Sequence, residues 1–341
     1  MTDYYKISID EMPLFDELGN KSILITGATG LIGSAIVNSF LSYNEYSPKK
    51  IHAILYVRNM RKALDLFGDR ADISYIEGDI CNPLSENIKV DYIIHAASQT
   101  SSKAFVQNPV EVALTSILGT KNMLEFAIKS EVNGFVYLSS MEVYGTPQTD
   151  EKIFELTGTN LDTMQVRSSY PESKRICESL CCSYAAEYHV PSKVVRLTQT
   201  FGPGVLYNDG RVFAEFARCA IEGKNIILHT KGETRRSYLY VQDAVTAILT
   251  VLLKGNAAEA YNAANEETYC SIREMAEMVA HLYPQNPIVV QVQEESVETH
   301  GYAPTLHMNL DTSKLRGLGW TPKTGLAEMF CSMIGYMRKS N

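Results

Sequence analysis

The chain predicts an α/β fold: a doubly wound parallel sheet with a smaller C-terminal α/β lobe. Three observations point there. Short apolar runs of strand length alternate with helical stretches through the first 200 residues, the order that buries a parallel sheet on both faces. A glycine-punctuated turn joins the first run to the first helix. Polar loops follow several runs, on the strand ends where open α/β sheets bind ligands.

The first run is Ser22-Ile23-Leu24-Ile25-Thr26, feeding Gly27-Ala28-Thr29-Gly30-Leu31-Ile32-Gly33 and then a helical pattern through Ile36, Phe40 and Leu41. Glycines permit a tight turn and close backbone approach, and the helix N-terminus then faces a pyrophosphate. This is a Rossmann-type arrangement, with Gly27, Thr29, Gly30, Leu31, Ile32 and Gly33 as candidate cofactor contacts. Its Gly-x-x-Gly-x-x-Gly spacing resembles the extended branch of the short-chain dehydrogenase/reductase superfamily.

The second strand, Ile51–Val57, ends at Arg58 instead of the Asp or Glu that holds adenosine ribose hydroxyls in many NAD enzymes. Arg58 can meet a 2′-phosphate, stack on adenine, or be a solvated surface charge, so these residues leave NAD against NADP open. A third strand covers residues 73–80, and the resemblance puts Asp79, with Ile80 beside it, at the adenine edge. Residues 90–97 form a fourth strand, and the resemblance sets Ala96 and Ala97 beside the cofactor. His95 is read as a satisfied core histidine. The following polar loop offers Ser98 and Thr100 to a substrate. Ser116 stands where the family usually has Asn, within a helix over 109–130.

A fifth strand, Phe135–Ser140, precedes Met141-Glu142-Val143-Tyr144-Gly145, and a polar loop leads to Tyr170-Pro171-Glu172-Ser173-Lys174. Helical residues four apart share a face, so the phenol and the ammonium lie one above the other. A lysine there favours phenolate by Coulomb attraction and lowers a pKa near 10. A tyrosine so tuned accepts an alcohol proton while a hydride leaves the same carbon. The resemblance makes Tyr170 the base, Lys174 its electrostatic partner and ribose ligand, and Ser140 the third hydrogen-bonding member. Glu142 is a candidate base or substrate-orienting group. Sugar-nucleotide 4,6-dehydratases carry Asp where this chain has Met141, which donates no proton.

A sixth strand, Lys193–Leu197, leads to Gln199, where family members usually place Asn against the substrate. Arg-x-x-Tyr-x-x-x-Lys-Arg at 167–175, Phe-Gly-Pro at 201–203 and Asn-Asp-Gly-Arg-Val at 208–212 look most like UDP-glucuronate decarboxylases. That similarity assigns Arg211 to the nucleotide pocket and Arg236 to the substrate diphosphate, which a planar guanidinium fork suits. Asp243 is expected to cap the helix through Leu253. Helices near 271–283 and 324–339 complete the lobe, and residues 284–304 receive no chemistry. The domain boundaries expected are 1–200 for cofactor and catalytic groups and 201–341 mainly for substrate, with some chain returning to the first domain.

The resemblance implies NAD (NADP not excluded), a nucleotide-sugar substrate, transient oxidation at C4, and a homodimer through the helices carrying Tyr170 and residues 109–130. Decarboxylation fits the motifs best; 4-epimerisation, then 4,6-dehydration, then one-way NADPH reduction of a keto-sugar are the alternatives, and a non-catalytic module sits poorly with the complete Ser140, Tyr170 and Lys174. A net charge of −8 argues against nucleic acid as a partner. No run approaches the ~18 apolar residues of a membrane span. The N-terminal stretch lacks the basic-then-apolar pattern of a signal peptide, so the cytoplasm is the expected location. The seven cysteines have no metal-site spacing and read as reduced thiols.

Overall fold

The structure, a computed structural model, describes residues 2–84, 88–100, 102–282, 287–294 and 305–340. In chain order come α1 (Met12–Asp16), β1 (Ser22–Thr26), α2 (Leu31–Tyr46), β2 (His52–Val57), α3 (Met60–Phe67), β3 (Ile73–Glu77), β4 (Tyr92–His95), α4 (Ser102–Gln107), α5 (Pro109–Ser130) and β5 (Gly134–Ser140). Then follow α6 (Ser169–Tyr188), β6 (Ser192–Leu197), β7 (Gln199–Phe201), α7 (Val212–Glu222), β8 (Ile226–Leu228), β9 (Arg235–Tyr240), α8 (Val241–Lys254), β10 (Ala260–Ala263), β11 (Asn265–Ser271) and α9 (Ile272–His281). Two short strands, β12 (Val290–Val292) and β13 (His307–Met308), and a helix over Leu326–Ser340 complete the described elements named here.

Seven strands form one parallel sheet in the order β10-β6-β5-β4-β1-β2-β3. The chain winds outward from β1 to β3, returns to β4 on the other side of β1, and winds out again. Alternation along β1 explains why both faces are covered. Ile23 and Ile25 enter a core with Phe40 of α2 and Ile248 of α8, while Leu24 enters another with Met123 of α5 and Cys177 of α6. The predicted strands are present, β4 shorter than expected, and Asp91 just before it bonds to the start of β1 through both backbone and side chain, its N–H donating to the Ser22 carbonyl at 2.9 Å. Its carboxylate accepts the Ser22 N–H at 2.8 Å.

A second core lies in the C-terminal half, where α7, α9 and the helix Leu326–Ser340 pack Phe213, Phe216, Met275, Phe330 and Met333 against Phe201 and Tyr238. Strands β7 and β9 pair in parallel there, β11 pairs antiparallel with β9, and β13 pairs parallel with β9. β10 and α8 instead contribute to the first core, and β10 pairs with β6 in the large sheet. α9 opens with the capping box that its Ser271-x-x-Glu274 spacing encodes. Asp243 does not cap α8 as expected. It lies in the first turn, and its carboxylate accepts the N–H groups of Lys323 and Thr324 at 3.1 and 3.0 Å, pinning the C-terminal segment. Residues 283–286 and 295–304, most of the stretch assigned no chemistry, lie outside the described residues.

Candidate active site

The winding reverses between β1 and β4, so their carboxyl ends open a crevice flanked by the Gly27–Gly30 turn and the Ala96–Thr100 loop. Two glycines shape it. Gly27 has φ +70°, and a Cβ there would lie 2.7 Å from the Ala96 carbonyl carbon. A Cβ on Gly33 would lie 2.2 Å from the Gly27 carbonyl oxygen, closer than any side chain tolerates. Gly30 is the N-cap of α2, with Leu31 and Ile32 in its first turn, so free backbone N–H groups and the positive helix end face the crevice. The carbonyl of Ile80 is held by Asn122 Nδ2 at 2.9 Å. Arg58 and Asp79 are exposed at the ends of β2 and β3. Small residues, a helix N-terminus and flanking polar groups fit a dinucleotide pyrophosphate.

His95 is buried behind this crevice. Its Nδ1 shares a 2.7 Å hydrogen bond with Thr26 Oγ1 and its Nε2 a 3.1 Å bond with Thr120 Oγ1, and the Ala97 N–H donates to Thr26 Oγ1 at 3.1 Å. Burial, then the Lys174 charge, lower its pKa to about 3, so the ring is neutral and structural. The adjoining loop carries Ser98, half-buried, and Thr100, exposed.

Ser140, Glu142, Tyr170 and Lys174 converge at the carboxyl end of β5. Tyr170 is in the first turn of α6 and Lys174 one turn later, both buried at 6% and 3% exposure. Ser140 ends β5, and its Oγ accepts the Glu142 N–H at 3.2 Å. Lys174 Nζ donates to the Leu138 carbonyl at 2.7 Å and lies 4.7 Å from the Tyr137 ring centroid and 5.8 Å from that of Tyr170. Burial lowers the Lys174 pKa to about 8, and Cys177 and Glu178 oppose that shift.

The expectation that Lys174 lowers the phenol is not met here, because the ammonium is turned to Leu138 and Tyr137. Burial raises the Tyr170 pKa, and the Glu142 charge adds to it; the Ser140 hydrogen bond and the Arg167 charge act in the opposite direction. Two contacts were not visible in the sequence. Phe105 of α4 stacks on Tyr170 with ring centroids 4.2 Å apart and planes 10° from parallel. Arg167 Nη2 pairs with Glu142 Oε2 at 2.9 Å, and its guanidinium lies 4.7 Å from the Phe105 centroid. Behind the site, Glu178 accepts from Ser139 Oγ and from the Arg196 guanidinium, tying α6 to β5 and β6.

Met141 is 5% exposed in an apolar cluster with Val143, Ala264 and Met308, and Thr198 Oγ1 sits 3.3 Å from its sulfur. It is packing, not a proton donor. On the smaller sheet Gln199 pairs with Tyr238, and Arg236 is two residues along the same strand, so all three side chains share a face. Gln199 Oε1, Tyr238 Oη and Arg236 Nε are each buried without a hydrogen-bond partner among the described residues. Such groups cost free energy unless a ligand satisfies them. Arg211 is instead held by Asp209 (Nη2–Oδ2 2.6 Å) over the Phe213 ring. Among the described residues no group of three or more His, Cys, Asp or Glu could hold a metal, and no helix is long and apolar enough to cross a membrane.

Comparison with known proteins gives the same reading. Residues 23–264 match the family described as NAD dependent epimerase/dehydratase. Among relatives, the chain is 31% identical over 311 residues to UDP-glucuronic acid decarboxylase 3 of Arabidopsis thaliana, covering 91% of this chain and 86% of that one. It is 29% identical over 327 residues to UDP-glucuronic acid decarboxylase 1 of Xenopus tropicalis, covering 95% and 73%. In fold it is similar to the dTDP-glucose 4,6-dehydratase of Streptomyces venezuelae, solved with NAD bound, with a TM-score of 0.78 at 21% identity over 93% and 97% of the two chains. The glycine turn, the Ser140–Tyr170–Lys174 cluster and these matches together place the chain in the NAD dependent epimerase/dehydratase family, as an enzyme whose cofactor is NAD.

Proposed function

We propose that the protein modifies a nucleotide-sugar by oxidising its C4 carbon transiently, and that its substrate is a UDP-uronic acid which it decarboxylates. The observation that carries this reading is the assembly of Ser140, Tyr170 and Lys174 at the carboxyl end of β5, the same end of the sheet at which the glycine turn follows β1. NAD, when bound, supplies the hydride acceptor. Tyr170 Oη takes the proton of the 4-hydroxyl, Ser140 Oγ orients that oxygen, and Lys174 serves as ribose ligand. A ketone at C4 then accepts the electron pair released when the carboxylate on C5 leaves as carbon dioxide. Glu142 orients the sugar beside Tyr170.

Around NAD we assign Gly27, Thr29, Gly30, Leu31, Ile32 and Gly33 to the pyrophosphate, Arg58, Asp79 and Ile80 to the adenosine, and Ala96 and Ala97 to the middle of the cofactor. Ser98, Thr100, Gln199 and Arg211 face substrate, and Arg236, with its unpartnered Nε, meets the diphosphate. Residues 1–200 thus hold cofactor and catalytic groups and residues 201–341 mainly hold substrate. Met141 speaks against dehydration, since a buried thioether has no proton to give.

A homodimer is part of this proposal. Val110, Leu114 and Leu118 recur every four residues on α5 at 67%, 48% and 38% exposure, and Ile176 and Tyr188 extend the apolar face onto α6 at 44% and 51%. The cytoplasm is the proposed site of action. Mass spectrometry of products from a panel of UDP-, dTDP-, GDP- and CDP-sugars tests the reaction. Loss of carbon dioxide from UDP-glucuronate supports it; loss of water, or unchanged mass from every sugar turned over, refutes decarboxylation.

A further inference from the structure

The ion pair of Arg167 and Glu142 stands beside the reacting phenol, and its geometry does more than neutralise two charges. The Glu142 backbone N–H donates to Ser140 Oγ at 3.2 Å, so the backbone that carries its carboxylate is held in the catalytic turn. The Arg167 guanidinium takes that carboxylate at 2.9 Å and lies 4.7 Å from the centroid of Phe105. Phe105 in turn lies on Tyr170 at 4.2 Å, and Ser169 Oγ donates to the Phe105 carbonyl at 3.3 Å. Arg167 therefore links Glu142, and through it Ser140, to Phe105, and Phe105 to Tyr170, a chain of contacts around the place where a proton is transferred.

We propose that Arg167 is a positioning residue for Tyr170: it clamps the Glu142 carboxylate and the Phe105 ring, so that the phenol meets a neutralised carboxylate and a fixed stacking partner. This rests on the reading that Tyr170 is the base. The ionisable groups on the elements around the phenol are few. Glu142 comes from the turn after β5, Arg167 from the segment before α6, Lys174 from α6, and Tyr137 from β5. Cys177, Glu178 and Cys181 act on Lys174 behind them, and Lys174 in turn acts on neutral His95. Lys103 on α4 and Glu111 on α5 are exposed, while the residues those helices turn to Tyr170 are Ala104, Phe105 and Val112. Glu142 opposes phenolate formation and Arg167 favours it, which is the sign the clamp requires.

The test is single-turnover reduction of the bound nicotinamide by UDP-glucuronate, followed by absorbance as a function of pH. This step precedes decarboxylation, and the pH position of its limb is read apart from its amplitude, so weaker sugar binding on loss of Glu142 does not mask the shift. Arg167→Gln leaves the carboxylate uncompensated, and the limb of the profile that reports the base moves to higher pH by about one unit, the scale of one nearby partly exposed charge. Glu142→Gln moves it to lower pH, and the double variant Glu142→Gln/Arg167→Gln returns it to the wild-type position. Arg167→Lys keeps the limb in place but slows the step, because a point charge lacks the planar contact with Phe105. If Arg167→Gln folds poorly, the Glu142→Gln and Arg167→Lys results still decide. An unshifted limb in Arg167→Gln, or a double variant that stays with Arg167→Gln, overturns the proposal. Full hydride transfer by Tyr170→Phe would instead overturn the assignment of the base.

Discussion

Replacing Lys174 by Met should stabilise the cofactor-free protein while abolishing its activity. The ammonium is 3% exposed, and burial lowers its pKa from 10.5 to about 8. At about 1.4 kcal/mol per pKa unit, holding it charged inside the fold costs about 3 kcal/mol below pH 8. Met fills a similar volume and removes that cost, but forfeits the 2.7 Å hydrogen bond to Leu138, about 1 kcal/mol, and the contact with the Tyr137 ring. A net gain of about 1–2 kcal/mol remains, or a rise of roughly 1.5–3 °C in Tm for two-state unfolding of a chain of this length. The sign with pH follows from the depressed pKa. Between about 8 and 10.5 the unfolded chain binds more protons, so the wild type gains stability as pH rises through that window and its deficit against Lys174→Met closes. Thermal unfolding of the two nucleotide-free proteins at pH 7 and across that window measures both effects. A less stable Lys174→Met at pH 7, or a gap that ignores pH, would refute the claim that the catalytic lysine is held at an energetic cost.

Met141→Asp should not create a dehydratase. It buries a carboxylate among Val143, Ala264 and Met308, and should cost about 2–4 kcal/mol in denaturant unfolding with no water-loss product by mass spectrometry. Gly33→Ala forces a Cβ to within 2.2 Å of the Gly27 carbonyl unless the turn opens, so the purified protein should release little or no NAD on denaturation. Leu114→Glu, on an exposed apolar stripe, should yield monomer in light scattering while leaving the monomer's unfolding within about 0.5 kcal/mol of wild type.

What the sequence made legible was local. The run Ser22–Thr26, its glycines and the following helix state their own geometry within about a dozen residues, and the two close contacts of Gly27 and Gly33 account for that pattern. Tyr170 and Lys174 are a turn apart, so their shared face follows from helical spacing alone. Contacts between distant segments were hidden. Phe105 reaches Tyr170 across 65 positions, and nothing about an isolated phenylalanine between Ala104 and Val106 announces a stacking partner. Arg167 was visible as part of a motif, but its hold on Glu142 was not. The shared face of Lys174 and Tyr170 was legible, but the effect of the ammonium on the phenol depends on where Nζ points, and the Leu138 carbonyl decides that. Asp243 shows the same limit. An acidic residue in a helix's first turn looks like a cap, and only the returning chain at Lys323 and Thr324 reveals what it holds.

The central claim is that chemistry begins with removal of the C4 hydrogen under the control of Tyr170. Single-turnover reaction of UDP-glucuronate with and without deuterium at C4, in the wild type and in Tyr170→Phe, tests it most directly. The account predicts slower carbon dioxide release from the deuterated sugar and none from Tyr170→Phe that still binds NAD. Release at equal rates from both sugars, together with release by Tyr170→Phe, would contradict it.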